Sequence, residues 1–310
     1  MYLSEKLGPF FQGFDTRSAF GYYEYVCHRL PKADFGAVPQ YAEGLTRIAD
    51  QFDAFVFDAF GVLNVGTSAI PGAQECISEL RRKNKRVFVV TNAASSSKPK
   101  TIEKFAALGY DFSEAEIITS RMAAEEAIGQ KNIGLWGVLA GENFLESDLH
   151  LNCVQLAESM VDYHRVDGFL FLSTWNWNTD FQLRLEKTLL ERPRPLVIAN
   201  PDVIAPHEDR FSTEPGYCGH RIADLLNINV EFHGKPFPSV FEMVERKLPE
   251  KIDLSRICMV GDTLHTDVLG GAARGWSTAL VLDHGLFRGH NIDQYINESG
   301  IKPTFIVPSI

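Results

Sequence analysis

An α/β fold is predicted, with a doubly wound parallel sheet as its core and a second α/β unit inserted into it. Strand-like apolar runs alternate with helix-like runs along the chain, the pattern left by parallel strands joined through helical crossovers. The alternation restarts near Ile133, between two sets of polar residues that each follow an apolar run. With 310 residues, 45% of them hydrophobic and 23% charged, the chain is long enough for two domains and a sizeable core.

Phe52 to Phe60 is the first clear strand. Pro71 to Lys83 opens on proline and closes on basic residues, as suits a helix whose first turn tolerates proline and whose last turn favours cations. Arg86 to Thr91 is a buried strand whose carboxyl end carries Thr91 and Asn92, and open α/β sheets bind ligands at that edge. Ser95 to Pro99 is a turn, and Lys100 to Leu108 a helix stopped by Gly109. Further on, Ile133 to Ala140, Gly168 to Leu172 and Pro195 to Ala199 read as strands, with a helix from Asp180 to Glu191 before the last of them. Val203 to Tyr217 reads as irregular and His220 to Leu226 as a short helix. Val230 to His233 and Ile257 to Val260 return as strands. The expected division is an aromatic-rich N-terminal extension over 1–45, a core over 46–131 and 231–310, and an inserted unit over 132–230. No internal repeat at solenoid periods is visible.

Composition narrows the function classes. A net charge of -10 and a pI near 5.4 argue against a nucleic-acid partner, since phosphate backbones are held chiefly by clustered Lys and Arg. The five cysteines are odd in number and lack CxxC spacing, so neither a disulfide framework nor a zinc site is expected, and a reducing cytoplasm fits best. The first residues have no basic stretch before an apolar run, and nowhere are there about 18 uninterrupted apolar residues. The expectation is a cytoplasmic protein with no membrane partner.

Four groups of residues carry the chemistry. Asp58 ends the apolar strand and precedes Gly61 in the next turn. A carboxylate there can serve as a nucleophile with exposed backbone amides beside it, or simply cap the turn. Thr91 and Asn92 can orient phosphoryl oxygens, though Thr-Asn is also a common turn pair. Lys235 lies between Gly234 and Pro236, where it can neutralise charge on a nucleophile and a phosphoryl group. Asp262 and Asp267 stand five apart directly after a buried strand, so they can converge on one hard cation such as magnesium, which takes few protein carboxylates and fills its octahedron with water and phosphate oxygens. The alternating acidic pattern of a calcium loop is absent, and helix capping by Asp267 is the competing role.

These groups, in this order, resemble the haloacid-dehalogenase-like hydrolases, specifically the branch with a large α/β cap that includes the NagD-like and p-nitrophenyl-phosphatase-like enzymes. The likeness extends over about residues 50–285 and includes Pro71-Gly72, Thr119-Ser120, Asn176-Trp177 and Asn200-Pro201-Asp202. It implies a Rossmann-like core and a cap, a small phosphorylated substrate, and Mg2+ as cofactor. Carried over by position, Asp58 is the nucleophile and a metal ligand. The backbone carbonyl of Phe60 is a second ligand, Asp262 a third, and Asp267 an inner- or outer-shell partner. Phe60, Gly61, Thr91, Asn92 and Lys235 form the substrate-binding set, and Lys235 is catalytic beside Asp58.

Phe60 departs from the family pattern, which has an aspartate there to protonate the leaving alcohol and then activate water. A positioned acid or base is typically worth about 10²–10⁴ in rate. Three readings follow. The chain is a magnesium-dependent phosphatase using a good leaving group or an acid from elsewhere, with His207, Glu208 and Asp209 as candidates. Alternatively it binds a phosphorylated ligand with weakened or no turnover. Last, it is a dehalogenase, whose halide leaves without a proton; Asp262 and Asp267 set this behind phosphoryl transfer, because carboxylates with no cation to hold repel the nucleophile's charge. Phe60 can also be a core aromatic beneath the site. Trp175 and Trp177 can stack on a flat substrate or pack between cap elements. His233 and His265 flank motif residues and can tune them, while His284 reads as a surface turn. For the N-terminal segment the options are cover for the core or a homodimer contact.

Overall fold

The computed structural model describes residues 15–36, 38–131, 133–157, 160–206 and 211–310. His207, Glu208 and Asp209 lie outside the described residues, as do the first fourteen residues of the extension.

Seven parallel strands form the main sheet, in the spatial order Gln40–Tyr41, Phe305–Val307, Ser277–Val281, Ile257–Gly261, Ala54–Phe57, Arg86–Thr91 and Ile117–Thr119. Strand residues alternate between faces, and both faces are covered. Phe55, Phe57, Val87 and Val89 pack with Leu80 of helix Ala73–Arg82 and Phe105 of helix Lys98–Ala107. Val56, Val90 and Met259 face the other way, onto Val240 and Phe241 of helix Pro238–Glu245 and Ala123 of helix Ser120–Gly129. Burial on both faces explains why these strands are continuous apolar runs.

The inserted unit has its own five-stranded parallel sheet, ordered Val230–Phe232, Leu196–Ile198, Gly168–Phe171, Trp136–Leu139 and Cys153–Gln155. The strand starting at Val230, placed in the core from its second residue onward by the sequence reading, hydrogen-bonds here instead, with Leu196 opposite Val230. Apolar pattern identifies a strand but not the sheet it joins. The segment expected to be irregular is ordered at both ends: Ile204–Pro206 pairs with Phe211–Thr213 as an antiparallel hairpin, and helix Pro215–Leu226 starts at the proline well before His220.

Helix Thr16–Val26 accounts for much of the N-terminal extension. Asp15 caps it, its side chain accepting from the Ser18 amide while Ser18 returns the favour to the Asp15 amide. Ala19, Phe20 and Tyr23 are buried against Leu264, Leu280, Leu286 and Phe287 of the main unit and Val203 and Ile204 of the inserted one. Phe20 and Tyr23 of this segment therefore cover the core, while Tyr25 is exposed. Arg17 pairs with Glu298, and Arg29 with Asp224 of the inserted unit. Among the described residues no helix is long and apolar enough to cross a membrane, and all five cysteines are unpaired.

Candidate active site

The order of strands in the main sheet reverses at Ala54–Phe57: later strands add on one side through Arg86–Thr91 and on the other through Ile257–Gly261. Ligands of open α/β sheets bind in the crevice at such a switch point, beyond the strands' carboxyl ends. Asp58 and Asp262 are the first residues past the two strands that flank it, and the Asp58 amide donates to the Val260 carbonyl at 2.8 Å to hold the two loops together.

Backbone close approach shapes the floor. Gly61 has φ of +75°, and a Cβ there would lie 2.8 Å from Asp262 Oδ2, so a side chain is excluded by conformation and by space alike. Asp262 Oδ2 accepts from the Leu286 amide at 2.8 Å. Asp267 Oδ2 accepts from the Thr263 amide at 3.1 Å, a capping contact within the turn after the strand. Asp58, Asp262 and Asp267 each present an oxygen within 4.8 Å of the others.

Lys235 is 2% exposed and bridges two of these carboxylates, pairing with Asp58 and standing 2.8 Å from Asp267 Oδ1. Burial works against its charge, but Asp267, Asp58 and Asp202 hold its pKa above the ordinary lysine value. Its backbone is pinned by Asn92, whose Oδ1 accepts from the Lys235 amide at 2.7 Å and whose Nδ2 donates to the Lys235 carbonyl at 2.9 Å. Burial pushes the Asp58 carboxyl up, with Lys235 opposing, and pushes Asp262 up further with help from the charges of Asp58 and Asp267. Three carboxylates and one ammonium in so small a volume leave a negative excess that a cation would satisfy.

A cavity of about 310 Å³ opens over this cluster, at the small end of the range for small-molecule sites of about 300–1,000 Å³. Asp58, Phe60, Thr91, Asn92 and Asp262 line it, while Gly61, Lys235 and Asp267 are buried outside its lining. Phe60 is half-buried and faces the cavity, so it is not the core aromatic that was one option for it. From the inserted unit come Ser173, Asn200, Asp202 and Glu214, and from the N-terminal helix Tyr23. Lys104 joins from helix Lys98–Ala107, its pKa lowered by burial with Asp58 opposing.

Asp202 belongs to a motif legible in sequence, whereas Glu214, Lys104 and Tyr23 carry no local signal. Asp202 Oδ1 accepts from Asn92 Nδ2 at 2.8 Å, and burial pushes its pKa well up against the pull of Lys235 and Asn92. Glu214 accepts from Asn200 and Ser212, and burial raises it to about 7. His265 contacts Glu24 of the N-terminal helix at 2.6 Å and stacks on Tyr23, and His233 Nδ1 meets Ser239. Trp177 packs on Phe171 and bonds Gln182, while Trp175 is exposed, so neither tryptophan lines the cavity.

Comparison with known proteins agrees with this arrangement. The haloacid dehalogenase-like hydrolase family profile matches residues 55–150, and a second profile of HAD-like hydrolases matches 232–310. An acid sugar phosphatase of Staphylococcus aureus is 26% identical over 234 residues, covering 74% of this chain and 85% of its own. Among solved structures, a possible sugar phosphatase of the HAD superfamily from Cytophaga hutchinsonii superposes with a TM-score of 0.75 at 28% identity, over 87% of this chain and 98% of its own. NagD from E. coli K-12 shares the fold with a TM-score of 0.64 at 23% identity, over 83% of this chain and 96% of its own. With the profiles together matching more than half the chain, the chain belongs to the haloacid dehalogenase-like hydrolases.

Proposed function

We propose that this chain is a magnesium-dependent phosphatase of a small phosphorylated metabolite, with Asp58 as nucleophile. The observation that carries the reading is the Asp58–Lys235–Asp267 bridge beside Asp262, at the foot of a cavity the size of a small molecule. Lys235, its backbone fixed by the Asn92 side chain, provides a donor for phosphoryl oxygens, and Thr91 adds a hydroxyl at the cavity wall. Preorganised donors of this kind stabilise the charge that develops in transfer.

Asp58 is the group to attack phosphorus, giving an aspartyl-phosphate that water then opens. Asp58, Asp262 and Asp267, with the Phe60 carbonyl, would hold a magnesium ion. The fit rests on three converging oxygens and on two carboxyls whose burial and mutual repulsion raise their pKa. When bound, the ion supplies charge neutralisation for the incoming phosphoryl group. The unit of roughly 132–232 is then a cap that excludes bulk water over the site. Sugar phosphates are the substrate class to try first, because the S. aureus relative is named an acid sugar phosphatase.

Phe60, facing the cavity where the family has an acid, favours a second reading: retention of a phosphorylated ligand with weak turnover. One experiment separates them. Phosphate release with magnesium is measured for wild type and Asp58→Asn on a panel of aryl and alkyl phosphates. Turnover that disappears in the variant supports the phosphatase. Saturable binding of a sugar phosphate with no release from any ester would replace it with the ligand-binding reading.

A further inference from the structure

The phosphatase reading leaves the leaving group without a proton, because the phenyl ring of Phe60 has none to give. The inserted unit supplies a carboxyl to the same cavity. Asp202 lines it and hydrogen-bonds to Asn92 Nδ2, and Asn92 is in turn bonded at both its amide atoms to the backbone of Lys235. One side-chain amide therefore separates Asp202 from the lysine that pairs with Asp58.

The loop that carries Asp202 is held from every side. Its amide donates to Asn200 Oδ1 at 3.0 Å, and the next amide, of Val203, donates to the Tyr23 hydroxyl at 3.1 Å. Two glycines let neighbouring elements close on the loop: a Cβ on Gly216 would come 2.0 Å from the Pro201 oxygen, and one on Gly234 would come 2.6 Å from Pro201 Cδ. Asp58 and Asp202 line one cavity of about 310 Å³, so a single phosphate ester bound there can meet both the nucleophile and a carboxyl held in place, and position precedes any question of acidity.

We propose that Asp202 is the catalytic acid and base of this site, doing from the inserted unit what the family's second aspartate does from the position of Phe60. The proposal rests on the phosphatase reading above. In the first step an Asp58 oxygen bonds to phosphorus, the ester P–O bond breaks, and the departing oxygen takes the proton of the Asp202 carboxyl. In the second, the Asp202 carboxylate takes a proton from water as the water oxygen bonds to phosphorus and the Asp58–phosphorus bond breaks. Phosphate leaves, and Asp202 is protonated again. Its surroundings suit a carboxyl that starts protonated: burial and the charges of Asp58 and Asp267 raise its pKa, and Lys235 with the Asn92 hydrogen bond opposes them. Asp262, Lys104, Glu214 and Tyr23 are further ionisable groups that line the cavity.

The test compares wild type, Asp202→Asn and the double variant Phe60→Asp/Asp202→Asn on p-nitrophenyl phosphate, whose leaving group needs no proton, and on glycerol 3-phosphate, whose leaving group does. For Asp202→Asn, kcat/KM on glycerol 3-phosphate should fall by about 10²–10⁴, the usual worth of a positioned acid. On p-nitrophenyl phosphate kcat/KM should change by less than about tenfold, while kcat falls and a burst of one equivalent of nitrophenolate precedes slow turnover. The double variant should recover glycerol 3-phosphate hydrolysis, which a folding defect would not permit. Equal losses on both esters with no burst would make Asp202 a positioning residue for Asn92 and overturn the proposal. Unchanged kinetics in Asp202→Asn would overturn it while leaving the phosphatase standing. A wild type that releases phosphate from neither ester, and binds them with no turnover, would remove both.

Discussion

The Tyr23 hydroxyl accepts a hydrogen bond from the Val203 amide at 3.1 Å, across 180 residues of sequence. Tyr23 also stacks on His265, with ring centroids 5.1 Å apart, so one side chain ties the N-terminal helix to the motif loop of the main unit and to the loop leading into the inserted hairpin. Tyr22 adds a bond to the Tyr217 carbonyl, and Arg29 an ion pair to Asp224. This helix is a strap between the two units.

Tyr23→Phe keeps the ring and leaves the buried Val203 amide without its acceptor, which typically costs about 1–3 kcal/mol. The variant should melt a few degrees below wild type, and hydrogen exchange at Val203 should accelerate while exchange in the Ala54–Phe57 strand stays slow. Equal protection at Val203 in both proteins would show that the strap does not depend on this bond.

Lys235 neutralises buried carboxylates as well as preparing the site. Removing one partner of a buried ion pair strands the other, at a cost of about 3–5 kcal/mol. Lys235→Met should therefore unfold at lower urea than wild type when metal is absent, and lose about 10²–10³ in kcat as a charge-stabilising donor. A Met variant as stable as wild type would show that the buried ammonium does not hold the folded state together.

Magnesium and protons should compete for the same oxygens. Burial first, and then the neighbouring negative charges, push the Asp58 and Asp262 carboxyls above the ordinary carboxylate value of 3.8. A carboxyl whose pKa is raised in the folded state contributes its stability below the unfolded pKa and loses it as pH climbs through the folded value. Without metal, stability should thus decline from the acid carboxylate range toward neutrality. A cation that binds the ionised forms should reverse the trend, so the rise in melting temperature on adding magnesium should grow with pH across that interval. A magnesium shift that is flat with pH, or largest in acid, would count against Asp58 and Asp262 as ligands.

Legibility of the sequence followed local physics. Phe55 to Phe57 and Val87 to Val90 are apolar on both faces because helices cover both sides of the sheet, and that condition writes itself into a short stretch of residues. Asp58, Asn92 and Asp262 were readable for the same reason, since each sits just past a strand end where the main sheet places its ligands, while Lys235 follows a strand of the inserted sheet. The strand Ile117–Thr119 is three residues long, too short for periodicity to register. Tyr23, Lys104 and Glu214 reach the cavity only through packing between distant segments, and no local pattern records which carboxyl a folded cavity will enclose.

Glu214 offers a pH test that leaves the metal cluster aside. Its carboxyl accepts from Asn200 Nδ2 at 3.0 Å and from Ser212 Oγ at 2.5 Å, and burial nevertheless raises its pKa from 4.5 to about 7, the Ser212 bond pulling the other way. The folded protein therefore holds this proton more tightly than the unfolded chain does. Its contribution is complete below 4.5 and is lost as pH passes through about 7. Glu214→Gln cannot ionise and should show no such loss. Relative to that variant, wild-type melting temperature should fall steadily as pH is raised from about 5 to about 8, a window that spans the change in proton binding. Parallel pH curves for the two proteins would place the Glu214 carboxyl in contact with water and outside the closed part of the cavity.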